Sequence, residues 1–287
     1  MSLKEVKQRI QSVKNTQKIT SAMKLISAAK LRRAQGTIEG VRPYQSKLNE
    51  MLLSFLSATE SVSTPYTRVS EPRKTILIAV SSNTSLCGSF NASVIKLTKE
   101  TLSEYAGNED REVEIYPVGK KMADALRKAG YSVNESLMPQ AGAPDYTAVA
   151  QFADELMQRF AAHRIDRVEL VYTHFHSTAK QVAVRETFLP IDIDTLHKDD
   201  ARSLSDFIVE PGKEELISRL IPRVIAMRLY TALLDSVAAE HAARMLAMQI
   251  ATDNADDLIT TLVREYNKSR QQAITNELLD IAAGSMN

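Results

Sequence analysis

Residues 223–283 read RVIAMRLYTALLDSVAAEHAARMLAMQIATDNADDLITTLVREYNKSRQQAITNELLDIAA and contain neither Gly nor Pro. As one helix, these 61 residues would be roughly 90 Å long, against about 11–12 residues for an ordinary globular helix. A spacing of four and three runs through them: Val224, Met227, Thr231, Leu234, Ala238, His241, Met245, Met248, Thr252, Ala255, Ile259, Leu262, Tyr266, Ser269, Ala273. That repeat has period 3.5, which predicts a left-handed coiled coil. The seam is rich in Thr, Ala and Ser. Small residues let two backbones approach closely but bury little area, so the seam predicts further support from other chains.

The other end of the chain is similar. No Pro occurs before Pro43, and the first Gly is Gly36. An apolar stripe runs through Leu3, Val6, Ile10 and Val13, then Ile19, Met23 and Ile26, then Leu31, Ala34, Ile38 and Val41. Asn15, Thr16 and Gln17 form a polar gap in it. Gly36, Gly40 and Pro43 are expected to weaken the helix, and Leu48, Leu52 and Phe55 extend the stripe. Two such helices at opposite ends of one chain pair most simply antiparallel. The expected organisation is an N-terminal helix over 1–60, an α/β domain over 74–192 and a C-terminal helix over 210–287.

Between the helices the pattern changes. Ser61, Ser63, Thr64, Pro65, Ser70 and Pro72 mark a linker. Thr75–Ser81 (TILIAVS) reads as a strand buried on both faces. Glu112–Val118, Val168–Thr173 and Val182–Leu189 are further strands, with helical patterns between them. Lys120–Ala129 ends at Gly130, a helix-stop glycine, and Asp145 is placed to cap a helix carrying Val149, Phe152, Leu156 and Phe160. This alternation predicts an α/β layer domain. Pro190–Gly212 reads as irregular.

Composition narrows the function classes. The chain has 287 residues, 44% of them hydrophobic, and a net charge of +1, which excludes a disordered or collagen-like chain. No apolar run reaches the roughly 18 residues of a bilayer span. The start, MSLKEVKQRI, carries no apolar signal core and no transit signature. Cys87 is the one cysteine, so no intrachain disulfide forms. The near-neutral total hides an imbalance: residues 1–42 hold ten Lys or Arg against two Glu. Lys30, Arg32 and Arg33 cluster in AAKLRRAQ. Such an excess predicts an acidic partner or a polyanion. A basic coiled-coil protein that binds nucleic acid or serves as a scaffold is one reading of it.

Motifs for bond chemistry are weak. There is no GxGxxG and no GxxxxGK[ST]. Leu86-Cys87-Gly88-Ser89 after the first strand is a tight turn, for which nucleotide binding is the minor reading. Cys87 reads as a small packed residue rather than a nucleophile. His174 and His176 share one face of a strand, yet no Cys or His completes a zinc spacing. His241 falls in the helical seam and reads as a core residue. No cofactor or metal is expected.

Three longer segments are more specific. IQSVKNTQKITSAMKLISAAKLRRAQ (Ile10–Gln35), AARMLAMQIATDNADDLI (Ala242–Ile259) and YNKSRQQAITNELLDIAAGS (Tyr266–Ser285) resemble the two terminal helices of the gamma-subunit family of F-type ATP synthases. Length, element order and Leu86-Cys87-Gly88 agree with that family. The resemblance implies an α/β fold: a long antiparallel coiled coil with a central Rossmann-like domain. It implies a non-catalytic central shaft on the cytoplasmic face of a bacterial inner membrane. The shaft is turned by a ring of c subunits and stands inside a head of alpha and beta subunits, with epsilon at its lower part. Turning presents a different face to each beta subunit and so biases open, loose and tight states that bind ADP and phosphate, form ATP and release it.

By motif match, Met23, Lys30, Arg32, Arg33, Arg270, Gln271, Thr275 and Glu277 would contact beta. Phe207, Ile208, Val209 and Glu210 would contact the ring and epsilon. Neither nucleic acid nor a direct membrane span is implied. The sequence departs from the family in one place, with Asn83-Thr84-Ser85 where Asp-Arg-Gly is usual.

Overall fold

A computed structural model describes residues 3–57, 64–68, 71–106, 111–191 and 212–284. In chain order they form α1 (Leu3–Ser57), β1 (Lys74–Val80), α2 (Phe90–Ala106), β2 (Glu112–Val118), α3 (Lys120–Lys128), α4 (Tyr146–Ala161), β3 (Arg167–Phe175), β4 (Gln181–Leu189) and α5 (Lys213–Gly284). Short 3-10 turns lie at Pro65–Thr67 and Met138–Gln140. The result is a mixed α/β protein with two very long helices, of 55 and 72 residues. The chain divides into two compact units. One contains Met1–Ala28 and Arg244–Asn287, the other Ala29–Ala243. The division falls inside α1 and α5, so each long helix belongs to both.

In the larger unit the sheet order is β2-β1-β3-β4. β1 is parallel to β2 and β3, and β4 is antiparallel to β3. The parallel pairs need crossovers, which α2, α3 and α4 supply. β3 and β4 are joined by a tight turn in which the Lys180 N–H donates to the Ser177 carbonyl (3.1 Å). β1 is buried along its length after Lys74, as its unbroken apolar run requires. Ile76, Ile78 and Val80 pack with Phe152, Leu156 and Phe160 of α4, with Leu48 and Leu52 of α1, and with Leu220–Leu233 of α5. Leu77 and Ala79 face the other way, toward Val94 and Leu102 of α2 and Met122 and Leu126 of α3. Each such fully buried Leu or Ile stabilises by about 1.5–3 kcal/mol relative to exposure.

Local signals act where the sequence puts them. The Asp145 carboxylate accepts the Ala148 N–H (2.9 Å) and caps α4, worth about 1 kcal/mol. Gly130 has φ +87° just past α3, and the Tyr131 N–H closes the helix onto the Leu126 carbonyl (3.1 Å). Gly119 has φ +100° between β2 and α3, and a Cβ there would lie 2.2 Å from the Ser81 carbonyl oxygen. Only glycine fits this close crossing of two strand ends.

α1 and α5 run unbroken through Gly36, Gly40, Pro43 and Pro222. Gly36, Gly40 and Pro43 are on the exposed side of α1, where the Glu39 carbonyl that Pro43 cannot serve is open to water. One expectation needs correction, the middle of the N-terminal stripe. Ile19 and Ile26 are 60% and 57% exposed, while Thr20 and Ser27 are buried. The inward stripe keeps the three–four spacing through polar residues: Val13, Gln17, Thr20, Lys24, Ser27, Leu31. The irregular stretch read at Pro190–Gly212 falls mostly outside the described residues.

Candidate partner-contact surfaces

In the smaller unit, α1 and α5 run antiparallel and touch through side chains. The Thr20 and Thr252 hydroxyls are 2.8 Å apart. One turn to either side, the Lys24 ammonium donates to the Gln249 amide oxygen (2.6 Å) and the Gln17 amide donates to the Asp256 carboxylate. Along α5, the least exposed positions from Thr252 onward include Ala255, Ile259, Leu262, Tyr266, Ser269 and Ala273, the four–three spacing read from the sequence.

Met23, next to Lys24, is half-buried and level with Ile250. Arg270, Gln271, Thr275 and Glu277 are all exposed. The Thr275 hydroxyl donates to the Gln271 carbonyl one turn back (2.9 Å). Met23 and Arg270 are therefore separated along α5 by about 30 Å. The residues expected to touch one partner form two patches, not one. Extending the cross-helix register puts Arg270 beside Leu3, the first residue of α1. Beyond it α5 continues without α1 beside it.

That last stretch carries Ile274, Leu278, Leu279 and Ile281, which are 47–69% exposed. Sequence reasoning did not single them out. The readable signal was that the seam turns polar after Ala273 while apolar residues continue on other faces.

In the larger unit, Lys30, Arg32 and Arg33 on α1 are exposed, while Leu31 and Ala34 between and after them are buried. The helix thus turns its guanidinium and ammonium groups outward, a surface fit for an acidic partner. The turn after β1 is filled by its own side chains. Cys87 is buried, and the Asn91 amide donates to its Sγ (3.1 Å) and to the Ser82 hydroxyl (2.8 Å). Asn83 donates to the Ala141 carbonyl (3.1 Å) and accepts the Lys120 N–H (3.0 Å), so it ties the turn to α3. Leu86, at φ +68°, is exposed at its tip.

His174 and His176 pack edge to face, 4.8 Å between centroids. His174 Nδ1 is bound to the Asp235 carboxylate, which also accepts the Phe175 N–H (3.2 Å). Burial pushes the Asp235 carboxyl above its usual range, against the opposing pull of His174. Among the described residues no three His, Cys, Asp or Glu side chains gather as a metal would require. His241 is buried, as its seam position predicts. Phe207, Ile208, Val209 and Glu210 lie outside the described residues.

A family model described as ATP synthase matches residues 2–286. The ATP synthase gamma chain of Bacteroides thetaiotaomicron is 49% identical, with 99% of each chain covered. The chain belongs to the ATP synthase gamma-chain family. The gamma chains of Bacteroides fragilis and Flavobacterium johnsoniae are 50% and 42% identical, over 99% of this chain. Among solved structures, a chain from the central stalk and c-ring of Tetrahymena thermophila mitochondrial ATP synthase has TM-score 0.57 and 25% identity, covering 81% of this chain and 99% of that one. A chain from Euglena gracilis mitochondrial ATP synthase has TM-score 0.63, covering 99% and 93%. At 19% identity, that second likeness is one of fold alone. Gamma-chain membership accounts for the two long helices around an α/β sheet. No helix among the described residues is long and apolar enough to cross a membrane.

Proposed function

We propose that this chain is the central rotor shaft of a bacterial F-type ATP synthase, passing rotation of a membrane c-ring to the catalytic head. The observation that carries the reading is identity near 50% along the whole chain to proteins named ATP synthase gamma chain. The terminal helices act as an antiparallel coiled coil standing in a head of alpha and beta subunits. The shaft makes and breaks no bonds. Its unequal faces have different contact energies with each beta conformation, so turning it shifts their populations. Run in reverse, ATP hydrolysis turns the shaft and pumps protons.

Two surfaces suit this work. The overhanging end of α5, with Ile274, Leu278 and Ile281 bare, calls for an apolar sleeve, since such a patch is costly in water. Arg270, Gln271, Thr275 and Glu277 lie on the same stretch and offer polar contacts to beta. Lys30, Arg32 and Arg33 offer a basic contact to acidic beta loops, and Met23 offers a separate one. Phe207–Glu210 serve as the foot on the ring and epsilon. The assembly lies at the cytoplasmic face of the inner membrane, with this chain peripheral.

The test is reconstitution. Alpha and beta subunits from the same organism are purified with and without this chain, and a bead is attached to the chain in the assembled head. Steady ATP hydrolysis that depends on the chain, with rotation of the bead in one direction, is the expected result. Hydrolysis indifferent to its omission, or a bead that does not turn, counts against the shaft.

A further inference from the structure

In the smaller unit α1 carries two stripes one residue apart. Thr20, Lys24 and Ser27 form a polar one, and Ile19, Met23 and Ile26 an apolar one with the same spacing. Successive residues on a helix point about 100° apart, so a roll of α1 by that angle exchanges the stripes. The hydrophobic effect alone would turn the apolar stripe inward. The structure has the opposite arrangement. Ile19 and Ile26 are 60% and 57% exposed, and Thr20 and Ser27 are 8% and 2% exposed.

The partners on α5 explain the inversion. Thr252 meets Thr20 hydroxyl to hydroxyl at 2.8 Å, Gln249 accepts from the Lys24 ammonium at 2.6 Å, and Asp256 accepts from the Gln17 amide. Each hydroxyl also has a carbonyl within reach on its own helix, and because each carries one proton, one of the Thr20–Thr252 pair donates across while the other donates along its own helix. Thr20 reaches the Gln17 carbonyl (3.0 Å), Thr252 the Met248 carbonyl (2.8 Å) and Ser27 the Met23 carbonyl (2.8 Å). The seam is therefore polar without leaving these hydroxyls unpaired, which is the condition for burying them at low cost.

We propose that these three cross-helix pairs select which face of α1 turns inward, and so hold Ile19 and Ile26 outward as a contact stripe. A roll would set the half-buried Gln249 and Thr252 against Ile and Met side chains and part Asp256 from the Gln17 amide, so all three cross-helix hydrogen bonds would be lost. The selection stands on the geometry. That the outward stripe is read by the catalytic head rests on the shaft reading above.

The test leaves α1 unchanged and removes only the partners, with Gln249→Ala, Thr252→Ala and Asp256→Ala together in the full chain. Reporter cysteines are placed singly by Ile26→Cys or Ser27→Cys, with Cys87→Ser in every chain. With the polar partners present, the thiol at 26 should react with maleimide faster than that at 27. In the triple variant the order should invert. Oxidative cross-linking gives a positive signal for each state. Seven residues from the Thr20–Thr252 pair, Ser27 is level with Met245. Ser27→Cys with Met245→Cys should cross-link in the parent, and Ile26→Cys with Met245→Cys in the triple variant. An unchanged order overturns the proposal. So does fast reaction at both positions, which would mean that the pairs hold the helices together without choosing a face. Far-UV circular dichroism checks that both helices persist. Co-purification of the parent chain with alpha and beta tests the shaft reading separately, since the roll is measured on this chain alone.

Discussion

Asp235 of α5 and His174 at the end of β3 are bound carboxylate to Nδ1, and the same carboxyl accepts the Phe175 N–H at 3.2 Å. One acid thus fastens the third sheet strand to the long helix in the larger unit. Its pKa in the folded chain lies above the usual value of 3.8, chiefly because burial disfavours the charge. A group whose folded value is raised stabilises fully below the unfolded value, and that contribution is lost as pH rises through the folded one. The melting temperature of the parent, relative to Asp235→Asn, should therefore fall as pH rises from about 4 toward neutrality. A difference that is flat, or that grows with pH, would mean the His174 pairing outweighs burial.

Gly119 and Gly130 both have positive φ but differ in surroundings. A Cβ at Gly119 meets backbone at 2.2 Å, while one at Gly130 meets nothing within 4 Å. Gly130→Ala should cost about 1–2 kcal/mol from the left-handed conformation alone. Gly119→Ala adds a clash between two strand ends and should cost about 3 kcal/mol or more. Thermal melts of the two variants decide it, and equal losses would show that the crossing at Ser81 relaxes freely.

Arg185 neutralises a buried acid. Its Nε and Nη2 donate to the two oxygens of Glu169 at 2.8 and 3.1 Å, and the Glu169 side chain is 3% exposed. Arg185→Ala should destabilise by about 3 kcal/mol, because a buried carboxylate loses its main partner. Arg167, 3.6 Å away, keeps the loss at that lower end. Adding Glu169→Gln should recover part of it. Urea unfolding of the single and double variants is the measurement.

The basic collar is tested by charge reversal. Lys30→Glu, Arg32→Glu and Arg33→Glu together should lower ATP turnover of the assembled head at low salt, since like charges would face the acidic beta loops. Single exposed pairs are worth only about 0–1 kcal/mol, so single reversals should be nearly silent. Unchanged turnover in the triple variant would make the collar a solvated face.

The two ends of the shaft separate catalysis from coupling. Arg270→Ala with Gln271→Ala should slow hydrolysis severalfold even in the detached head. Glu210→Lys, in the foot, should spare hydrolysis by the head and weaken ATP-driven proton pumping in vesicles. Equal loss of both activities in both variants would dissolve the distinction.

Much of the α/β unit was legible because its signals are local. Thr75–Ser81 has no polar residue until its last position save Thr75, Asp145 follows a proline and precedes an apolar period, and Gly130 ends one. The inward face of α1 was not legible at Ile19–Ser27, because the deciding partners lie on α5, more than two hundred residues away. Pro43 and Pro222 stand inside long helices for a related reason. A proline's local cost is fixed, but tertiary packing on the rest of a long helix outweighs it. Register also separates Met23 from Arg270, and register is a property of the pair rather than of either helix.

Thr20 and Thr252 are 232 positions apart in sequence. At about 5–20 residues per second, the ribosome needs roughly 12–46 s to deliver the second after the first. Throughout that interval the first segment of α1 exists without α5, and the sheet strands are complete before most of α5 emerges. With ten Lys and Arg against two Glu, residues 1–42 carry a like charge that disfavours association between copies during that interval. Pairing of the long helices therefore waits until α5 has been made.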